Sequence, residues 1–515
     1  MSSSITLDAL IPREDFEVTG ETSGTTRNVA TIGIRDLEYD SFFFSALRKP
    51  DFQRETNEWD SKRIVSLIES FISGDLIPAV ILWRSSSSYT FVIDGAHRLS
   101  ALAAWINNDY GDGEISKRFY DGQIPEEQIV TAENTRKEIR KKIGAYSDFH
   151  LALKNPEKVE PRIAETAKSL GALAIQVQWV EGDAKKAEHS FFKINQQAAP
   201  IDKTELKLLE ARRKPTGIAA RAILRSGKGH KYWSSYDLES QNKIQSLAEE
   251  INEIIFQPKL KTPVKTLNLP LGGKNFSSQG QSLILELVER TNKDSGNPEI
   301  DTDGRETITH LNNCLNVVRR LNSNHKSSLG LHPAVYFYSK NGTHKPASFW
   351  ATIELIRHLE EKDKFKWFTD ARAAFETFLQ KYDYLIQQVV RKHRSASAAY
   401  PFISRLYLLV IEEIRSGLAI DDIPSKIKSN VDFSYITLDD NGGEEVTNND
   451  FSRERKSEVF MREALSQAIK CKICNGLLHQ NSISIDHVVR KQDGGLGQVD
   501  NGQLTHPYCN TTYKN

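Results

Sequence analysis

The last 45 residues hold three cysteines and a histidine in paired spacing: Cys471 and Cys474 form C-x2-C, and His506 with Cys509 forms H-x2-C after 31 intervening residues. Two such pairs can close a tetrahedral zinc site of thiolates and imidazole, which staples a module too small to hold itself. His479 competes as fourth ligand, and His506 is preferred because it lies on the turn that carries Cys509. Between the pairs runs SIDHVVRKQDGG, followed by Asn501, with Asn510 directly after Cys509. An imidazole beside a carboxylate at the end of a short apolar strand, here His487 beside Asp486, can act as general base toward water while the acid holds a divalent cation. One magnesium-type ion and one imidazole suffice for phosphodiester hydrolysis, since the ion neutralises charge on the phosphate and leaving oxygen.

A second gathering lies in FVIDGAHRLSALAAW, residues 91–105. A strand that turns at Gly95 into a helix presents backbone N–H groups and the positive end of the helix dipole, which suits phosphate. Arg98 adds a planar cation and His97 a titratable donor. Asp94 can cap the helix, or hold a metal or a ribose hydroxyl. Upstream, KPDFQRETNEW supplies Gln53, Arg54 and Trp59, and downstream HSFFKIN ends a phenylalanine-rich segment in Asn195. PLGGKNFSS (270–278) lacks the spacing of a phosphate loop and reads as a turn.

These residues need elements to hold them. In SKRIVSLIESFI, Ile64, Leu67, Ile68 and Phe71 fall on one helical face behind a cap at Asp60 or Ser61, and GDLIP stops the helix. AVILW (79–83) and YTFVI (89–93) read as short strands, and the helical period returns after Gly95. From 216 to about 430 the pattern is mostly helical, in QSLILELVERTN, ATIELIRHLEEK, FETFLQKYDYLIQQVVRKH and ISRLYLLVIEEIRSG. Residues 438–457 are polar with little to bury and read as a linker.

With 515 residues the chain exceeds one core, and about 150 residues per domain implies roughly three. Lys and Arg number 68, as do Asp and Glu, so whole-chain charge neither favours nor excludes a nucleic-acid partner. Within 451–515, nine basic residues meet six acidic ones, which permits DNA contact. No apolar run reaches the roughly 20 residues that span a bilayer, and the N-terminus lacks a basic region followed by an apolar core, so the expectation is a cytoplasmic protein without membrane contact. In a reducing compartment the cysteine cluster points to metal before disulfide.

The terminal set, C-x2-C, Asp-His, Gly-Gly, Asn, then H-x2-C-Asn, resembles the HNH nucleases of the ββα-metal (His-Me finger) fold. The resemblance covers about the last 45 residues. It implies His487 as the base that activates water, Asp486 and Asn510 as ligands of a catalytic Mg2+ or Mn2+, and Asn501 as the residue that pins the loop orienting His487. It also implies structural zinc on Cys471, Cys474, His506 and Cys509, with His506 where the family usually has cysteine.

Read in order, PDFQR…W, the helix 61–73 pattern, VIDGAHRLSAL and FFKINQQAAPIDKTEL resemble the DGQQR-motif domain of GmrSD-type modification-dependent restriction enzymes and of the SspE nuclease, with a ParB/sulfiredoxin-like nucleotide fold. Here the motif is DGAHR, with Ala96 and His97 in place of two glutamines. The resemblance implies a nucleotide or phosphate site of Asp94, Gly95, His97, Arg98, Gln53, Arg54 and Asn195, with an NTP among its candidate ligands and NTP hydrolysis left open by the departure from the motif.

The expected architecture is α+β multidomain. It has a ParB/sulfiredoxin-like α/β sensor (30–215), a mostly helical middle (216–437), a linker (438–457) and a ββα-metal HNH domain with a zinc knuckle (458–515). The expected activity is DNA cleavage in prokaryotic defence, restricting invading modified phage DNA under control of the N-terminal pocket, with a homo-oligomer left open. The competing readings are a stand-alone nickase in repair or mobile-element biology, and a non-catalytic DNA- or protein-binding module with a degenerate nuclease fold.

Overall fold

The computed structural model describes the chain apart from residues 1–4, 15, 17–27, 51–58, 86–88, 121, 123, 125, 199–202, 229, 276–277, 294–299, 439–449 and 514–515, and apart from the side chains of 126–127, 195–198, 203 and 278. It divides into two compact units: residues 1–212 with 228–232, and residues 213–227 with 233–515.

The first unit is built on a mixed six-stranded sheet. In chain order its strands are β1 (Arg13–Glu14), β2 (Thr31–Gly33), β3 (Leu47–Pro50), β4 (Val80–Arg84), β5 (Thr90–Asp94) and β6 (Ala174–Trp179), arranged β1-β3-β5-β4-β6-β2. The β1/β3, β3/β5 and β4/β6 pairs are parallel, while β4/β5 and β2/β6 are antiparallel. Both predicted strands are present, shifted by one residue. They read as unbroken apolar runs because the sheet is covered on both faces. Val80, Leu82 and Val92 join one core with the helices Ser61–Ser73 and Ala96–Ile106, whereas Trp83, Phe91 and Ile93 join another with Phe191. The helix Ser61–Ser73 starts at Asp60, whose carboxylate accepts from the Arg63 N–H, and stops at left-handed Gly74. A ParB-like topology was expected here; the structure shows an α+β unit with this strand order.

The second unit is a helical bundle that carries a small hairpin. Leu238–Phe256 packs on Arg305–Leu321, and Pro346–Glu361 on Ala396–Arg415. The stretch read as continuous, FETFLQKYDYLIQQVVRKH, is two helices, Phe365–Lys381 and Asp383–His393, broken at Tyr382. Residues 453–457, assigned to the linker, form the first turn of the helix Arg453–Ser466, capped by the Ser452 hydroxyl. Ser457 is buried there, and its hydroxyl accepts the Val264 N–H at 3.0 Å. The hairpin pairs β7 (Ser484–His487) with β8 (Gly502–Thr505) antiparallel, in the register Asp486 to Gln503 and His487 to Gly502. A short, wide helical turn, Cys509–Tyr513, follows.

Candidate metal centre and N-terminal pocket

The four zinc candidates converge. One ligand atom from each of Cys471, Cys474, His506 and Cys509 lies within 4.8 Å of all the others. The His506 Nε2 is 3.1 Å from the Leu477 carbonyl, to which it donates, so Nδ1 faces Cys474 Sγ at 3.4 Å and Cys509 Sγ at 3.8 Å. Holding one ring nitrogen by a carbonyl is how a metal-binding imidazole is oriented. The competing ligand, His479, lies elsewhere: its Nδ1 meets Asn322 Oδ1 at 3.2 Å and its ring packs edge-on against His332.

The hairpin beside this cluster positions the other candidates. Successive strand side chains point to opposite faces, so Asp486 shares a face with Ser484. Asp486 is buried, and its Oδ2 accepts from Gln503 Nε2 at 2.7 Å across the register pair. Asn510 reaches the same strand from the terminal turn, its Nδ2 donating to Ser484 Oγ at 2.7 Å and the Ile485 carbonyl at 3.3 Å. His487 ends β7, half-buried, where the chain leaves the hairpin. Asn501 closes the loop that follows: its Oδ1 accepts the Val489 N–H at 2.7 Å, its Nδ2 donates to the Leu496 carbonyl at 2.8 Å and the Val489 carbonyl at 3.2 Å, and its own carbonyl accepts the Val488 N–H.

In the N-terminal unit, Asp94 ends β5 and Gly95 turns the chain at φ 98°. A Cβ at Gly95 would fall 2.1 Å from Val80 Cγ1, so both backbone and space require glycine. The helix N-cap is Gly95, without a side-chain cap bond, which corrects the option that Asp94 caps the helix. Instead the Asp94 Oδ2 accepts from Arg98 Nη2 at 2.7 Å, and the same Nη2 lies 3.1 Å from the Ala79 carbonyl. The His97 ring stacks on Trp59 at 5.8 Å between centroids. Gln53 and Arg54 lie outside the described residues; Asn195 falls on the helix Ala184–Ala198, but its side chain is outside them.

A family model of the GmrSD restriction endonuclease N-terminal domain matches residues 36–211, and one of the HNH endonuclease matches residues 471–515. The chain joins a GmrSD N-terminal domain to a C-terminal HNH endonuclease domain. No match was found among curated proteins or among solved structures. The two domains support a DNA endonuclease of restriction type, with DNA as partner and nuclease hydrolysis as the reaction class. Among the described residues no helix is long and apolar enough to cross a membrane.

Within the HNH domain the three thiols share hydrogen bonds that lower Cys471 far below its ordinary range and raise Cys474 and Cys509 above theirs, so a metal bound by all three displaces the protons they share. Burial, reinforced by the Arg372 guanidinium, lowers the His506 pKa and keeps the imidazole neutral, the form that ligates metal. This thiolate-and-imidazole set fits zinc. Sequence reasoning missed Arg372, Glu376 and Gln503. A signal for the first two existed, because Arg372 falls on the same helical stripe as Phe368, Phe375 and Leu379, where a surface ion pair has no place.

Proposed function

We propose that this protein is a metal-dependent DNA endonuclease that restricts invading, modified phage DNA, with cleavage in the HNH domain controlled by the GmrSD domain. The observation that carries the reading is the hairpin. It sets Asp486 and Asn510 along β7 and His487 at its end, against the cysteine cluster that holds the module's shape.

The donor set of one carboxylate and one carboxamide fits a hard cation, magnesium or manganese, that takes its remaining ligands from water and substrate phosphate. When bound, that ion supplies charge neutralisation at the scissile phosphate and the leaving oxygen. Asp486 would hold it with a carboxylate that Gln503 orients. Asn510 would offer its amide oxygen, since its nitrogen donates to Ser484 and Ile485. His487 takes a proton from water onto its imidazole, and the hydroxide so formed attacks phosphorus in line with the departing sugar oxygen. Asn501 keeps the backbone on either side of the loop fixed, so the imidazole is presented from a rigid strand end.

Control falls to the turn at Gly95. The start of the helix Ala96–Ile106 offers backbone N–H groups to a phosphate, and the ligand there is a nucleotide or the modified DNA itself. Arg98 already pairs with Asp94, so a phosphate would share or displace that carboxylate, which ties ligand binding to a change of ion-pair partner. The test measures cleavage of modified and unmodified phage DNA with Mg2+ or Mn2+, with and without NTPs, by wild type and Arg98→Ala. Cleavage biased toward modified DNA, and lost or deregulated in the variant, is expected. Equal cleavage of both DNAs by both proteins, with or without NTP, would leave a stand-alone nickase.

A further inference from the structure

The helix Phe365–Lys381 buries a charged pair on its apolar face. The Arg372 and Glu376 side chains, one turn apart, are 1% and 3% exposed, with Arg372 Nε 2.7 Å from Glu376 Oε1. Burying an ion pair costs desolvation that its own attraction seldom repays, so the fate of its remaining donors and acceptors decides its role. They lead to the zinc ligands. Arg372 Nη1 lies 3.2 Å from His506 Nδ1, whose lone pair a zinc ion would take, and donates to the Leu329 carbonyl, while Nη2 donates to the Gly330 carbonyl at 2.9 Å. That loop is itself seated on the HNH domain, through Ser328 Oγ to Ser482 Oγ at 2.8 Å and the Tyr508 N–H to the Ser328 carbonyl at 3.0 Å.

Glu376 works on the cluster from the other side. Its Oε1 also accepts from Tyr336, and its Oε2 accepts the Leu477 N–H at 2.7 Å. The Leu477 carbonyl in turn receives the His506 Nε2 proton, so a carboxylate on a bundle helix fixes the peptide that fixes the imidazole. The approach is close enough that a Cβ at Gly476, in the knuckle turn, would lie 2.5 Å from Arg372 Nε. Charge points the same way: a zinc dication with three thiolates and a neutral imidazole carries one net negative charge, and the guanidinium beside it is the opposite charge in a dry site.

We propose that Arg372 and Glu376 are positioning residues of the zinc centre, so that zinc binding and docking of the HNH domain onto the helical bundle are one equilibrium. The inference rests on the zinc reading of the four-ligand cluster. It makes the bundle part of the metal site: the contacts that orient His506 begin on a helix whose Arg372 lies 134 residues away in sequence.

The experiment uses the full chain and four proteins: wild type, Arg372→Met, Arg372→Lys and Glu376→Gln. Zinc per chain is measured directly, zinc affinity by competition with a chromogenic chelator, and ligand geometry by the visible spectrum of the cobalt-substituted protein. Loss of a partner behind the ligands weakens metal binding by about 10- to 100-fold, and that is the expected result for Arg372→Met and Glu376→Gln. Arg372→Lys should recover part of it, since it restores charge without the planar fork. Folded variants with wild-type zinc affinity and an unchanged cobalt spectrum overturn the proposal. Should the variants not fold, wild type stripped of zinc by chelator decides: earlier melting of the bundle and new protease cutting near Lys470 support it, and unchanged melting and cutting overturn it. A folded wild-type chain that neither carries nor takes up zinc sinks the zinc reading itself, a result distinct from equal zinc in all four proteins.

Discussion

Asp486 and His487 are neighbours with different surroundings. Asp486 is buried with Gln503 on one oxygen, and His487 stands half-exposed where β7 ends. The difference suits the proposed roles, Asp486 as the residue that would hold an ion and His487 as the one that would exchange a proton with water. His487→Ala should lower the single-turnover rate of plasmid cleavage by about 10²- to 10⁴-fold while zinc content stays at the wild-type level; wild-type cleavage by this variant would remove His487 from the reaction. At the other end of the chain, Gly95→Ala places a side chain at φ 98° and against Val80. The expected cost is about 1–3 kcal/mol, read as a lower unfolding midpoint of the N-terminal unit, and an unchanged midpoint would mean the turn is not held as described.

At the scale of elements, the loop between β7 and β8 shows how a polar side chain substitutes for packing. Val488, Val489, Leu496 and Val499 in it are exposed, so little apolar burial holds it, and Asn501 ties it with three side-chain hydrogen bonds to Val489 and Leu496. Asn501→Ala should speed hydrogen exchange at the Val489 amide and slow cleavage while leaving zinc affinity unchanged; normal exchange at Val489 would refute the clamp. Helix starts were legible where a short side chain sits before an apolar period, as at Asp60, because a cap is a local bond. Breaks were less legible: nothing in QKYDYL separates the end of one helix from the start of the next, and packing on other helices places the break at Tyr382.

For the molecule as a whole, the helical unit stores buried neutral histidines. Burial lowers His344 to about 4 and His479 to about 4, and burial with the neighbouring His479 lowers His332 to about 3, all from an ordinary value of 6.5. In the unfolded chain these groups take up protons as pH falls below 6.5, while in the folded chain they stay neutral until pH reaches the depressed values. The unfolded state therefore binds more protons across that window, and stability falls with pH by about 1.4 kcal/mol per unit per histidine. Denaturant unfolding of the full chain at pH 7 and at pH 5 should show the loss, and His344→Gln should reduce its slope. An identical slope in the variant would contradict the assignment of His344.

The sequence alone determined the chemistry that depends on spacing. Paired cysteine and histidine knuckles, the Asp486–His487 dipeptide, and a strand that turns at Gly95 into a helix are all local patterns, and local bonds and periodicities are written in adjacent residues. Only the tertiary structure decided which groups partner them. Asp94 paired with Arg98 instead of capping the helix, Gln503 came to Asp486 across the hairpin, and Arg372 and Glu376 reached the knuckle from another helix. The physical reason is that a buried polar group must find its partners wherever folding brings them, and distance along the chain does not record that choice.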